Sequence, residues 1–263
     1  MVCDLRLGGT LSGSGLTGGM SVHNSRISVA DWSGIHGSPG YNTRLVRVAG
    51  RAGGYPVGDG MPFERSINLD LLVTRWAATG PGSLTEATSG VQVEANTDTL
   101  LGVLADPDGF YIEEDLDDGS SRFTHGRAVT VVTVRQREWR RVNVPVVCEW
   151  PYWSAGGSQS TDTLTGSDTL TVGGNVDVYN PVLEFSGDGT LTHTALGWTI
   201  TVTGSVSAVT VDLGARTVVQ AGVNADSLMS HNTAYWGRFV PGVNAVTCSG
   251  ALSVAVTWRD QWS

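Results

Sequence analysis

The stretch 236–263, WGRFVPGVNAVTCSGALSVAVTWRDQWS, decides the class of fold. A short aromatic strand runs into Pro241-Gly242-Val243-Asn244, strand character resumes from Asn244 to Cys248, and Ser249-Gly250 makes a turn. From 252 to 258 the alternation is unbroken, with Leu252, Val254, Val256 and Trp258 on one face and Ser253, Ala255 and Thr257 on the other. Only period-two spacing keeps an apolar face continuous along a strand. The stretch therefore predicts a half-buried antiparallel meander of core strands.

The same period recurs upstream. Trp198, Ile200 and Val202 oppose Thr199, Thr201 and Thr203, and Val209, Val211 and Leu213 oppose Ala208, Thr210 and Asp212. Short alternating strands at this spacing predict an antiparallel β-sandwich for the second half. The string DTLTGSDTLTVG holds a six-residue repeat, Asp162–Thr165 and Asp168–Thr171, too few turns for a β-helix and read as two paired strands. A change from arginine-bearing to Ser/Thr/Gly-rich sequence divides the chain into 1–149 and 150–263.

The first half is β-rich as well. Strands are expected at 21–29, 44–49, 64–73, 122–136 and 140–149. In 64–73, Ile67, Leu69, Leu71 and Val73 alternate with Ser66, Asn68 and Asp70. Residues 77–90 read as a Gly/Pro/Ser/Thr loop. One helix is expected at about 97–105, capped by Asn96 or Thr97 and stopped by Pro107.

Composition removes several chemistries. All 16 basic residues are arginine, so there is no lysine for a Walker-type phosphate loop or a Schiff base. The net charge of −9 leaves neither half with the basic face of a sequence-reading nucleic-acid module. No secretion signal and no bilayer-spanning apolar run is found, so a soluble protein made in the cytoplasm is expected. Cys3, Cys148 and Cys248 are far apart with no CxxC; reduced buried thiols are the reading, a Cys148–Cys248 disulfide the alternative.

Motif-level chemistry is sparse. Gly13–Gly18 matches a dinucleotide fingerprint as a string, but a strand follows where a helix N-terminus is needed. The acid-rich segment 106–118 fails the EF-hand register and reads as a solvated hairpin. Arg135, Arg137, Arg140 and Arg141 read as an exposed hairpin tip. The five histidines lack metal-ligand spacing, no GxSxG elbow occurs, and no cofactor is implied.

Two blocks together carry a resemblance: RLVRVAGRAGGYPVGDG turning into ERSINLDLLV within 42–73, and the closing FVPGVNAVTC…LSVAVTWRDQW. In this order and separation, with one helix and two long strands between them, the chain resembles the distal tail (Dit) proteins of long non-contractile-tailed bacteriophages. The resemblance implies a mainly β protein with an N-terminal ring-forming domain and a C-terminal galectin-like sandwich, VYNPVLEFSGDG (178–189) being similar to one of its early strands. It implies a structural virion protein rather than an enzyme: a homohexameric ring at the tail tip, joining the tail tube protein to the hub or tail-associated protein, near the tape-measure protein, around the DNA channel.

On that basis Arg44, Arg47, Arg51, Tyr55 and Arg65 are candidates for ring or tube contacts, with free ladder edges on a strand pair such as 44–49 with 64–73. The glycine-rich arm and the loops 50–62 and 77–90 are further candidates. Asp106, Asp108, Glu113, Glu114 and Asp115 are candidates for a negative channel wall that lets DNA pass. The alternative is a carbohydrate-binding sandwich that grips a host-surface glycan, with Tyr152, Trp153 and Trp198 as stacking residues. A sandwich-type glycan hydrolase would need two carboxylates on one groove, and the sequence leaves that open.

Overall fold

A computed structural model of the chain describes residues 5–22, 27–33, 44–47, 54–57, 64–74, 76–80, 83–86, 91–116, 118–135, 139–148, 150–233, 236–249 and 252–263. It is mainly β, as expected, with one α-helix among the described residues, and divides into two compact units, Met1–Gly157 (with Ser263) and Ser158–Trp262. The division falls eight residues beyond position 149. Trp153–Ala155 is still a strand of the first unit, with Arg122 opposite Ala155 and Phe123 opposite Ser154.

The first unit is organised by one antiparallel sheet. In order, its strands are Met20–Ser21, Leu5–Leu7, Phe110–Asp115, Ser121–Ala128, Trp139–Cys148, Arg65–Thr74 and Ile27–Ser33. The central pair runs in register from Trp139 opposite Thr74 to Cys148 opposite Arg65. Alternation does its work here: Ile67, Leu69, Leu71 and Val73 are buried, as are Val142, Val144, Val146 and Cys148. Each such aliphatic side chain contributes about 1.5–3 kcal/mol relative to exposure. The expected strand 122–136 is two strands, Ser121–Ala128 and Val132–Arg135, both antiparallel to Trp139–Cys148.

The helix spans Val91–Leu104 and so begins six residues before the expected start at 97. Asn96 and Thr97 are interior. Thr97 turns its hydroxyl back to Val93 O at 2.7 Å, and Asn96 donates its amide to Thr74 O at 2.8 Å, holding the helix to the sheet. Residues that compete for backbone bonds are tolerated inside a helix when their side chains bond in this way. Of the arginines read as an exposed tip, Arg135 and Arg140 also hold the helix, and Arg141 ties its strand to the neighbouring one. Arg140 Nη2 lies 2.7 Å from both Glu94 oxygens, Arg135 reaches Glu94 at 3.2 Å, and Arg141 forks onto Asp70. Arg137 lies outside the described residues.

Three pairings differ from expectation. Arg44–Arg47 pairs with Gly54–Val57 in a separate hairpin, while Arg65–Thr74 takes Ile27–Ser33 and Trp139–Cys148 as neighbours. The expected loop 77–90 contains a second hairpin, Trp76–Gly80 with Ser83–Glu86, with a register shift between Ser83 and Leu84. The six-residue repeat forms edge strands in two different sheets.

That last point defines the second unit, a two-sheet sandwich. One sheet orders Ser160–Thr165, Ser253–Trp258, Val182–Phe185, Val209–Asp212, Thr217–Gln220 and Val223–Asn224. The other orders Ser167–Val172, Gly242–Cys248, Gly189–His193, Thr199–Val202 and Met229–His231. Gly166, at φ +55, is the single residue between the strands Ser160–Thr165 and Ser167–Val172 that carry the repeat, a left-handed corner that glycine adopts at little cost. The closing strands likewise face each other across the core instead of forming a meander. Leu252, Val254, Val256 and Trp258 enter it from one sheet, and Val246 and Cys248 from the other.

Candidate assembly surface

Four strands of the first unit lie side by side: Val132–Arg135, Trp139–Cys148, Arg65–Thr74 and Ile27–Ser33. Every pairing among them is antiparallel, so their directions alternate across the group. Among the described residues the outer edges of Val132–Arg135 and Ile27–Ser33 meet no further strand. Val132–Arg135 is exposed on both faces, with Val132 at 51% and Val134 at 50%; Val129, just before it, is at 65%. A bare edge of β-branched residues is a template for another strand, and chains that must remain single usually blunt it with charge, proline or a bulge.

The residues singled out from the sequence are placed unevenly around this surface. Arg44, Arg47 and Tyr55 lie on the hairpin 44–57, Arg44 opposite Val57 and Tyr55 opposite Val46. Arg51 lies outside the described residues. Arg65 is no surface contact of the single chain: it is buried beneath the sheet, where desolvation lowers its pKa and the nearby Cys148 thiol partly offsets this. Burial in turn pushes the Cys148 thiol up to about 11. Cys148 and Cys248 are both free and buried, one in each unit.

The acids divide into two groups. Asp106 and Asp108 are exposed. Glu113 and Glu114 are buried, which removes them from an exposed wall, because the strand Phe110–Asp115 is covered on both faces. Glu114 accepts from Arg122 Nε at 2.7 Å, and the Arg122 guanidinium sits 4.8 Å above the Trp153 ring. Glu113 accepts from the Ser121 hydroxyl at 2.9 Å and pairs with Arg6 at 3.5 Å. Asp115 takes the other arm of Arg6 at 3.1 Å.

The proposed stacking residues are core residues. Tyr152 and Trp153 are buried in the first unit, so neither offers a face to a glycan. Trp198 is buried in the second unit, with its Nε1–H donated to Arg238 O at 2.9 Å, and its ring contributes to the wall of a surface cleft. Arg238 and Thr233 share that wall and carried no sequence signal beyond their residue type. Among the described residues no group of three His, Cys, Asp or Glu could hold a metal ion.

No family profile and no curated protein matches the sequence. Solved structures do. The crystal structure of the Dit protein (gp 19.1) of phage SPP1, described as a paradigm of the hub adsorption apparatus in Gram-positive-infecting phages, is 14% identical with a TM-score of 0.67. The similarity covers 98% of this chain and 99% of that one. A chain of the phage p2 baseplate in its activated conformation with Sr is 9% identical with a TM-score of 0.50, over 98% of each chain. The chain thus has a Dit-like fold along nearly its whole length, and at these identities the likeness speaks for the fold.

Proposed function

We propose that the protein is a structural component of a bacteriophage tail tip, whose first unit joins copies of itself into a ring around the DNA channel. One observation carries the reading: the four-stranded group has two open edges and an even number of alternating strands. Rotation about an axis along the strands brings Ile27–Ser33 of one copy beside Val132–Arg135 of the next, running in the opposite direction. Each junction then continues the antiparallel ladder, and closure leaves neither of these two edges exposed. The SPP1 Dit and p2 baseplate likenesses support the tail-tip setting. A hexamer, with a tail tube protein above and a hub protein below, is the assembly we propose for it. The exposed Asp106 and Asp108 remain candidates for the channel wall.

Sedimentation and negative-stain imaging of the purified full chain, alone and mixed with its tail tube protein, test this reading. Rings with a central hole are expected in at least one condition. A chain that stays monomeric in both overturns the proposal.

A further inference from the structure

We propose that the β-bulge at Ala30 bends the junction between copies, so that pairing closes into a ring instead of running on as an open sheet. The inference deepens the ring reading and rests on it. Its ground is the register of Ile27–Ser33 on Arg65–Thr74. Ile27, Ser28 and Val29 stand opposite Val73, Leu72 and Leu71, and Asp31, Trp32 and Ser33 stand opposite Asp70, Leu69 and Asn68. Ala30 has no counterpart, because two steps along one strand are matched by one step along the other. A single extra residue of this kind bends its strand and raises the local right-handed twist.

The extra residue does nothing for the chain's own ladder. Without Ala30, Asp31 would follow Val29 as Asp70 adjoins Leu71, and every pair would be kept. The faces would be kept too. In the shortened string ISVDWS, Ile27, Val29 and Trp32 fall at alternate positions, in the rows of the buried Val73, Leu71 and Leu69. A strand with no bulge would therefore satisfy Arg65–Thr74 equally well. Ala30 is exposed, so it adds no packing either. What it leaves changed is the outer edge of its strand.

That edge is one side of the junction. The opposing edge, Val132–Arg135, is four residues long, whereas the regular runs on either side of Ala30 are three residues each. A neighbour that pairs along its whole length fits in neither run, so it straddles Ala30. The bend of the bulge then becomes the bend of the junction, repeated identically from copy to copy. Heterologous contacts whose rotation closes make rings, and those whose rotation does not close make filaments. A bulged edge also turns away a flat partner. The occupant it accepts is a strand that follows its twist, which Val132–Arg135, exposed on both faces, is free to do.

Deletion of Ala30 from the full chain tests this, under the condition in which the wild type assembles. Circular dichroism and the melting temperature should match the wild type. Sedimentation and negative-stain class averages should then show rings with a different number of copies, or open filaments. Rings of unchanged copy number, or a folded variant that stays monomeric, overturn the proposal and leave the ring reading standing. A wild type that forms no rings in any condition removes both. If the deletion variant does not fold, Ala30→Gly decides. Glycine keeps the chain length and loosens the bulge, so the spread of copy numbers should widen. A spread as narrow as that of the wild type overturns the proposal.

Discussion

His193 Nε2 lies 2.9 Å from Asn244 Oδ1, with both residues buried in the sandwich core. The tautomer follows from the surroundings. Leu196 N–H donates to His193 Nδ1 at 3.2 Å, so the ring proton is on Nε2 and is given to Asn244. Asn244 Oδ1 also accepts from Val240 N–H at 2.9 Å, and its Nδ2 faces the carbonyls of Leu170, Val240 and Gly242. One side chain thus holds the turn at Pro241-Gly242 and the core histidine together. Asn244→Asp keeps the size and replaces a donor by an acceptor facing those carbonyls. A loss of about 3 kcal/mol or more is expected in urea unfolding, because several buried groups lose partners at once.

The edge strand offers a separation of folding from assembly. Val132→Asp combined with Val134→Asp alters side chains that already face solvent. Unfolding free energy is expected to stay within about 0.5 kcal/mol per site of the wild type. Ring formation, read by sedimentation, is expected to disappear.

The pair Glu114–Arg122 tests a buried charge. Arg122→Met leaves a carboxylate inside the protein without its main cation and is expected to cost about 3 kcal/mol. Adding Glu114→Gln in the same chain should return a large part of that loss. Equal stability of the single and double variants would contradict the pairing.

Cys148 gives a pH dependence with a definite sign. Burial favours the neutral thiol in the folded chain, raising its pKa from 9.0 to about 11. The folded state therefore holds its proton longer than the unfolded state. This contribution is fully present below about pH 9 and is lost as pH rises towards about 11. The difference in unfolding free energy between wild type and Cys148→Ala should shrink over that window, and iodoacetamide should label Cys148 only on unfolding.

Period-two spacing made the faces legible. Ile67 to Val73, Val142 to Cys148 and Leu252 to Trp258 are buried on the predicted sides. Spacing fixes a face and leaves the partner open, so the closing strands 242–248 and 253–258 were expected in one meander and lie in opposite sheets. The helix start was hidden because Asn96 and Thr97 have cap chemistry and spend it on tertiary and back-bonding contacts. Glu113 and Glu114 belong to an acidic run that reads as solvated, and only the cover on both faces of Phe110–Asp115 buries them. Tyr152 and Trp153 illustrate the same limit: an aromatic pair has the same spelling in a core as in a binding face. Thr233 was illegible because what marks it is a buried hydroxyl with no hydrogen-bond partner, which depends on the surroundings of the atom.

The first strand of the second unit is laced to its last, with Ser160 opposite Trp258 and Thr165 opposite Ser253. Entry and exit of the backbone are therefore neighbours at one end of an antiparallel pair, and a pull applied between them would peel that ladder open one rung at a time from Ser160–Trp258 towards Thr165–Ser253.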